Sequence, residues 1–486
     1  MTALPLSKQE FSTIPDEVWR KLGDLLRSTG VCEKHPRVFA LSEVSFEPEL
    51  RALRQEILRA ADDTAARLLR MFWLADPVAR DAADAALGAD FSDLLLRFRV
   101  VEQVEGGLVS SLVIMRFMGD FLLAEDLRRG GDAVMGVGVL TSRLVQAVRS
   151  NEQLASVLDL GCGAGAVSLA LASAAGRVTA TDVNPRAAAL VRGNAALRGV
   201  SNIETLVGDL FTPVAGRRFD CVLFHPPFLA NAEGAIFAEG GERGGERGDE
   251  LALRALGEAA AHLNDGGIAV IVGELPIVDD TAIEAAVSAV VGADVNLLVA
   301  ERGEVDLDAF SIGVAAHKYQ ALGPLFDQAV LARRAHFDRM KISSLRNVIV
   351  VVARARGPAF RGTFQMSRAA EAILSRRDID ALFRSFGLIA AGKEALGAAR
   401  LRLRPEVELA RLADGSAVLH ASPSCPLQIE GFGAETMKLI DSLRAGKPVT
   451  DTIRKLTSHP STHVHRPSLL LATEQLLRAG VLEVAG

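Results

Sequence analysis

The sequence predicts an α/β protein: a largely parallel sheet covered by helices on both faces, with further units before and after it. The apolar run Val157-Leu158-Asp159-Leu160 leads into Gly161-Cys162-Gly163-Ala164-Gly165 and then small helix formers, the pattern of a strand, a tight turn and a helix start. Strand and helix signals then alternate, with strands expected at 157–160, 178–182, 203–207, 219–224, 268–273, 294–300 and 347–353. Helices are expected at about 164–175, 185–198, 249–263 and 280–291. The length, 486 residues with 49% hydrophobic and 23% charged, suits two or three domains with ample cores.

Glycine is needed in such a turn where the backbone bends sharply and a ligand approaches without a Cβ in the way. The exposed N–H groups of the helix start add donors. Many α/β folds carry a turn of this kind, so the segments that follow narrow the reading. Residues 177–182 form a second strand ending in Asp182, the place for a carboxylate that accepts from ribose hydroxyls, with Val183 beside it. Gly208-Asp209-Leu210-Phe211 follows the third strand and Phe224-His225-Pro226-Pro227-Phe228 the fourth. A dinucleotide dehydrogenase has no use for that last element.

These four motifs, in this order, resemble the class I S-adenosylmethionine-dependent methyltransferases. More narrowly they resemble the group with an Asn-Pro-Pro-Phe/Tyr motif, which methylates planar nitrogens of glutamine side chains or nucleic-acid bases. The resemblance covers roughly residues 134–354 and implies a Rossmann-like sheet of seven strands whose last pair forms an antiparallel hairpin. It implies S-adenosylmethionine as cofactor, with Asp159 at its amino group and Gly161, Gly163 and Gly165 along its methionine portion. Asp182 and Val183 then fall at the ribose, and Asp209 with Leu210 or Phe211 at the adenine. Val134-Met135-Gly136-Val137-Gly138, ahead of a helix expected from Thr141 to Arg149, is similar to a segment that borders the methionine end in large relatives.

In the Asn-Pro-Pro family the asparagine oxygen and the first proline's carbonyl accept the hydrogens of the target NH₂ and aim its lone pair at the sulfonium methyl. Here histidine stands in the asparagine's place, making His225, Pro226 and Phe228 the candidate catalytic positions and Pro227 a substrate contact. A neutral imidazole accepts one hydrogen bond, or takes a proton near neutral pH. The glycine-rich, charged stretch 231–248 is expected to be a lid in which Glu239 and Arg243 read substrate charge, with Asp249 capping the next helix. His459, His463 and His465 lack nearby acids or cysteines, so no metal site is expected.

Residues 1–130 read as a mostly helical cap, with helices over Asp16–Ser28 and 48–72 and strands within 106–123. Residues 131–356 hold the catalytic sheet, including an added helix over 323–341. Residues 357–486 read as a third, net basic unit. Its helix over 378–386, hairpin turning at Asp414-Gly415 and three further helices resemble winged-helix peptide-recognition domains of modified-peptide biosynthesis.

The net charge of −6, one Tyr and two Trp weigh against a dedicated nucleic-acid binder. Four scattered cysteines without a Cys-x-x-Cys pair, an N-terminus unlike a signal peptide and no apolar run of spanning length point to a cytoplasmic protein without membrane attachment. The expectation is N-methylation of a small metabolite or peptide bearing an amine, amide or guanidine, with a homodimer left open. The alternatives are a nucleic-acid base or a protein glutamine as acceptor, or a cofactor-binding scaffold without turnover.

Overall fold

Eight strands share one sheet. In chain order they are β1 (Leu154–Leu160), β2 (Ala175–Asp182), β3 (Ile203–Val207), β4 (Phe219–Phe224), β5 (Leu263–Val278), β6 (Val295–Val305), β7 (Ile342–Arg354) and β8 (Arg361–Gln365), in the spatial order β8-β6-β7-β5-β4-β1-β2-β3. The computed structural model from which they are taken describes residues 10–35, 48–125, 133–149, 152–227, 230, 245–319, 322–369, 372–411, 417–428, 434–443, 447–458 and 465–485. Strands β1 to β5 pair in parallel, and β7 runs antiparallel to both β5 and β6. The order of winding reverses between β1 and β4, which opens a crevice beyond their carboxyl ends.

Alternate residues of these strands feed two cores. Val157, Val178, Leu223, Val270 and Ile349 pack on the face covered by the helices Val139–Val148, Ala166–Leu171 and Pro185–Arg198. Leu158, Val222, Ile271 and Val350 pack on the other, under Glu250–Ala259 and Ile283–Ser288. Burial on both faces is why these strands read as near-continuous apolar runs.

The seven expected strands are present, and β5 and β7 run well beyond the stretches assigned to them. The eighth was not expected. The segment Arg361–Gln365 lies past Gly357, where a separate unit was anticipated, yet it pairs in parallel with β6. It is short and half polar, so no periodicity betrays it, and it seats because Gly362 lets the Phe386 ring close over the backbone. A helix at Leu307–Lys318 was also missed; Asp306 caps it by accepting from the Ala309 N–H at 2.8 Å. The expected helix over 48–72 is two, Pro48–Ala61 and Thr64–Phe72. Asp62 breaks it with φ +41°, and Asp63 caps the second by accepting from Ala66.

The N-terminal helices and the hairpins Val101–Val104/Gly107–Ser110 and Leu112–Phe117/Asp120–Glu125 are joined to the sheet unit through the helix Pro185–Arg198. Trp19, fully buried, lies on Gly193, where a Cβ would fall 2.7 Å from the indole. The Asn194 carboxamide accepts from the Leu123 N–H (2.9 Å) and donates to the carbonyls of Leu123 (2.8 Å) and Ala164 (2.9 Å). Arg186 and Glu125 form a buried ion pair at 3.0 Å, and the same carboxylate oxygen accepts from the Val134 N–H at 2.7 Å.

The C-terminal helices Arg376–Ala390, Ala434–Leu443, Val449–Thr457 and Arg466–Arg478 surround a core of their own, with Leu439, Ile440, Ile453, Leu476 and Leu477 buried. Strands Val407–Arg411 and Ala417–Ala421 pair as the expected hairpin, and Leu482–Val484 pairs with Leu401–Leu403. The turn at Asp414-Gly415 and the histidines His459 and His463 lie outside the described residues. No described helix is long and apolar enough to cross a membrane.

Removing one partner of a buried ion pair leaves the other charge uncompensated. Glu125→Ala should therefore lower the unfolding free energy by about 3 kcal/mol in urea denaturation.

Candidate active site

The three glycines after β1 have positive φ angles of 65° (Gly161), 52° (Gly163) and 88° (Gly165). A Cβ would fall 2.8 Å from a Phe224 ring carbon at Gly161, 2.7 Å from the Met135 carbonyl oxygen at Gly163 and 2.9 Å from a Val191 methyl at Gly165. Conformation and close packing thus both require glycine here. Gly161 is exposed toward the crevice.

Residues 134–138 lie across this turn. The Met135 carbonyl accepts from the Ala164 N–H at 2.8 Å. At the end of the segment, a Cβ on Gly138 would come 3.8 Å from the His225 ring. The segment therefore binds the glycine turn at one end and passes beside the imidazole at the other.

Asp182 closes β2, with one carboxylate oxygen accepting from the Gly163 N–H (3.0 Å) and the other from the Asn184 N–H (2.8 Å). Burial pushes its pKa up, against the pull of those N–H groups. The Val183 N–H also bears on the carboxylate, so three backbone donors share a group that offers about four lone-pair sites. Val183 beside it is 63% exposed, an apolar side chain left at the mouth. Asn184 caps the helix Pro185–Arg198 by accepting from Arg186 at 3.0 Å.

Asp159 departs from expectation. It is 3% exposed and does not open to the crevice. Its carboxylate instead accepts from the Ser168 N–H (3.0 Å) and hydroxyl (2.6 Å), satisfying an orphan donor in the first turn of the helix Ala166–Leu171. Burial pushes its pKa up to about 7. Phe211 also departs: its ring stacks on His262 at 4.4 Å between centroids, within the core under the sheet, so its face is taken. Leu210 holds φ +43° and is buried, while Asp209 is exposed and pairs with Arg254 at 2.8 Å.

His225 follows β4 directly and is half-buried, with Pro226 buried and Pro227 half-buried after it. Burial pushes its imidazole down to about 4, so it is neutral at physiological pH. Phe228, Glu239 and Arg243 lie outside the described residues. The helix Pro324–Arg339 holds the backbone on either side of that gap: Arg333 donates to the Ala230 carbonyl at 3.4 Å, and His336 Nε2 donates to the Glu246 carbonyl at 2.6 Å. Asp249 does not cap by its side chain; Arg247 claims it at 3.0 Å, and Glu250 accepts from the Arg247 and Gly248 N–H groups instead.

The glycine turn, Asp182, Val183 and His225 all stand at the carboxyl ends of β1, β2 and β4, while Ser168, Asn194 and the Glu125–Arg186 pair, which hold the surrounding backbone, were not anticipated. Nothing in their local sequence marks them: Asn194 and the Glu125–Arg186 pair act across long separations in the chain, and Ser168 reaches Asp159 only once the glycine turn has folded the helix back on the strand end.

The raised carboxyl of Asp159 has a consequence for stability. A group held above its unfolded pKa favours the native state fully below about pH 4 and loses that contribution as pH rises through 7. Asp159→Asn should flatten the fall in unfolding free energy between pH 4 and 7, measured by denaturation at each pH, since an amide oxygen still accepts from Ser168.

Residues 135–294 match the family model of the methyltransferase small domain. The ribosomal protein uL3 glutamine methyltransferase of Xanthomonas campestris pv. campestris is 31% identical over 125 residues, 24% of this chain and 41% of that protein. Release factor glutamine methyltransferases are similar too: that of Koribacter versatilis is 32% identical over 147 residues (26% of this chain, 50% of the relative), and that of Deinococcus radiodurans 38% over 121 residues (23% and 42%). The chain spans about half, or less, of the length of these curated relatives. The stretch 135–294 is a methyltransferase domain of the class I α/β type, with S-adenosylmethionine as its cofactor.

Proposed function

We propose that this protein transfers a methyl group from S-adenosylmethionine to a planar side-chain nitrogen, with the glutamine amide of a protein as acceptor. The expectation of a small metabolite or free peptide has no specific support among the relatives, whose names give a ribosomal protein or a release factor as the molecule acted upon. The protein-glutamine alternative is the better supported of the two.

The residues at the crevice suit the cofactor. Exposed Gly161 lets a methionine portion lie on the backbone, the carboxylate of Asp182 suits a ribose diol, and exposed Val183 offers an apolar contact beside it. Buried Asp159 supports the turn from below. Asp209 remains the acceptor for an adenine amino group, with its ion pair to Arg254 at the rim.

When bound, the cofactor supplies an already activated methyl carbon, so the protein's task is to align a nitrogen lone pair with it. The observation that carries the reading is the position and state of His225. It stands at the end of β4, against Gly138, on the segment that crosses the glycine turn. With its pKa near 4 it is a weak base at pH 7, which favours a positioning acceptor for an amide N–H over a proton sink. Pro226 and Pro227 stiffen the backbone there, and Phe228 is assigned the wall against a planar acceptor. Glu239 and Arg243 are assigned to substrate charge. The helical region 1–130 and the region 357–486, read as winged-helix-like, are assigned to holding a protein substrate.

His225→Ala should lower the rate of labelled methyl transfer to purified release factors or ribosomal proteins by about 10²-fold, leaving S-adenosylhomocysteine affinity unchanged. Label appearing in an RNA fraction instead would refute the reading. Asp182→Ala should do the reverse, raising the S-adenosylhomocysteine Kd by about 30-fold or more through the loss of two charge-assisted hydrogen bonds.

A further inference from the structure

Strand β5 outruns β4. Phe224, the last residue of β4, pairs with Ile271, whereas β5 continues to Val278 alongside β7. Cys221 and Leu223 share a face with Ile268, Val270 and Val272, the face covered by the helix Val139–Val148. Because alternate residues share a face, His225 continues the row of Leu223, and Glu274 continues that of Val272. The strand spacing and a two-residue rise put the two backbones about 8 Å apart. That leaves room for a planar group between their side chains.

Glu274 does not stand alone. Asn347 faces it directly across the β5–β7 ladder and hydrogen-bonds its carboxyl. The Asn347 oxygen accepts from Arg143 Nη1 at 2.8 Å. Arg143 projects from the helix that begins beside Gly138, the residue against His225. The guanidinium commits the amide oxygen, so the amide nitrogen is the group left for Glu274. All three side chains are half-buried. Burial pushes Glu274 up and Arg143 down, so both charges bear a desolvation cost. The neighbours on the same face, Val272 and Ile349, are buried apolar residues of the core, so packing alone does not call for a polar row there.

We propose that Glu274, held by Asn347 and Arg143, is a second acceptor-binding group, taking an N–H of the acceptor nitrogen opposite His225. The site then selects a primary amide, since a ring nitrogen without hydrogens would give the remaining acceptor capacity of Glu274 no donor. Glu274 is the substrate contact; Asn347 and Arg143 are positioning residues. This inference rests on the methyl-transfer reading of the same crevice, and a binding measurement separates the two.

The full-length protein, saturated with S-adenosylhomocysteine, is titrated with acetyl-Ala-Gln-Ala methyl ester and with the same peptide carrying an N,N-dimethylated glutamine amide. Wild type should prefer the primary amide, and Glu274→Gln should weaken its binding by about tenfold or more and erase the preference. Unchanged S-adenosylhomocysteine affinity shows that the variant is folded. Asn347→Ala should reproduce part of the loss, and Arg143→Lys should retain more binding than Arg143→Met. Equal binding of the two peptides by wild type, no binding of either, or an unaltered Glu274→Gln would overturn the inference. Glu274-dependent binding without methyl transfer by wild type would uphold it and sink the proposed reaction instead.

Discussion

No side chain fits on the glycines of the turn after β1, and most of the site's geometry follows from that. The space a Cβ would need is filled by the Phe224 ring, the Met135 carbonyl and the Val191 side chain, which come from the end of β4, the crossing segment and the helix Pro185–Arg198. Three parts of the chain are thereby set at fixed depth around one backbone loop. Asn194 extends the arrangement outward, because the carboxamide that binds the Ala164 carbonyl also binds both backbone groups of Leu123. His225 inherits its place from this packing, one residue beyond the phenylalanine that closes over Gly161.

The titratable groups around the crevice share a bias. Burial raises Asp159, Asp182 and Glu274 and lowers His225. Each is thus displaced toward its uncharged form by the same poorly solvated surroundings. A cationic ligand such as a sulfonium reverses part of that displacement for the carboxyls, and its own charge is stabilised in return. For the imidazole the same cation reinforces the neutral form, the one that accepts a hydrogen bond.

Much of the sheet was legible because its punctuation is local. The helix Pro185–Arg198 and strands β3 and β4 agree residue for residue with expectation; a proline opens the helix and Gly199, in the left-handed conformation, closes it. Strands β5 and β7 were underestimated because their outer halves, with Glu274, Arg346 and Asn347, are held by pairing to each other and not by an apolar run. For the site, residue type and spacing set Asp182 at the end of β2 and His225 at the end of β4, where both strands do end. They did not distinguish which way Asp159 and Phe211 turn, since that depends on Ser168 and His262, partners that no local pattern identifies.

The eighth strand bears on where this protein can be divided. The stretch matching the methyltransferase family ends at Asp294, one residue before β6, and β8 is supplied from beyond Gly357. A fragment cut between β7 and β8 would leave the outer amides and carbonyls of β6 bare along five residues, from Leu297 to Glu301. An open rim of that kind recruits other chains. The tail after Gly357 therefore completes the sheet, taking the edge position that β6 would otherwise hold.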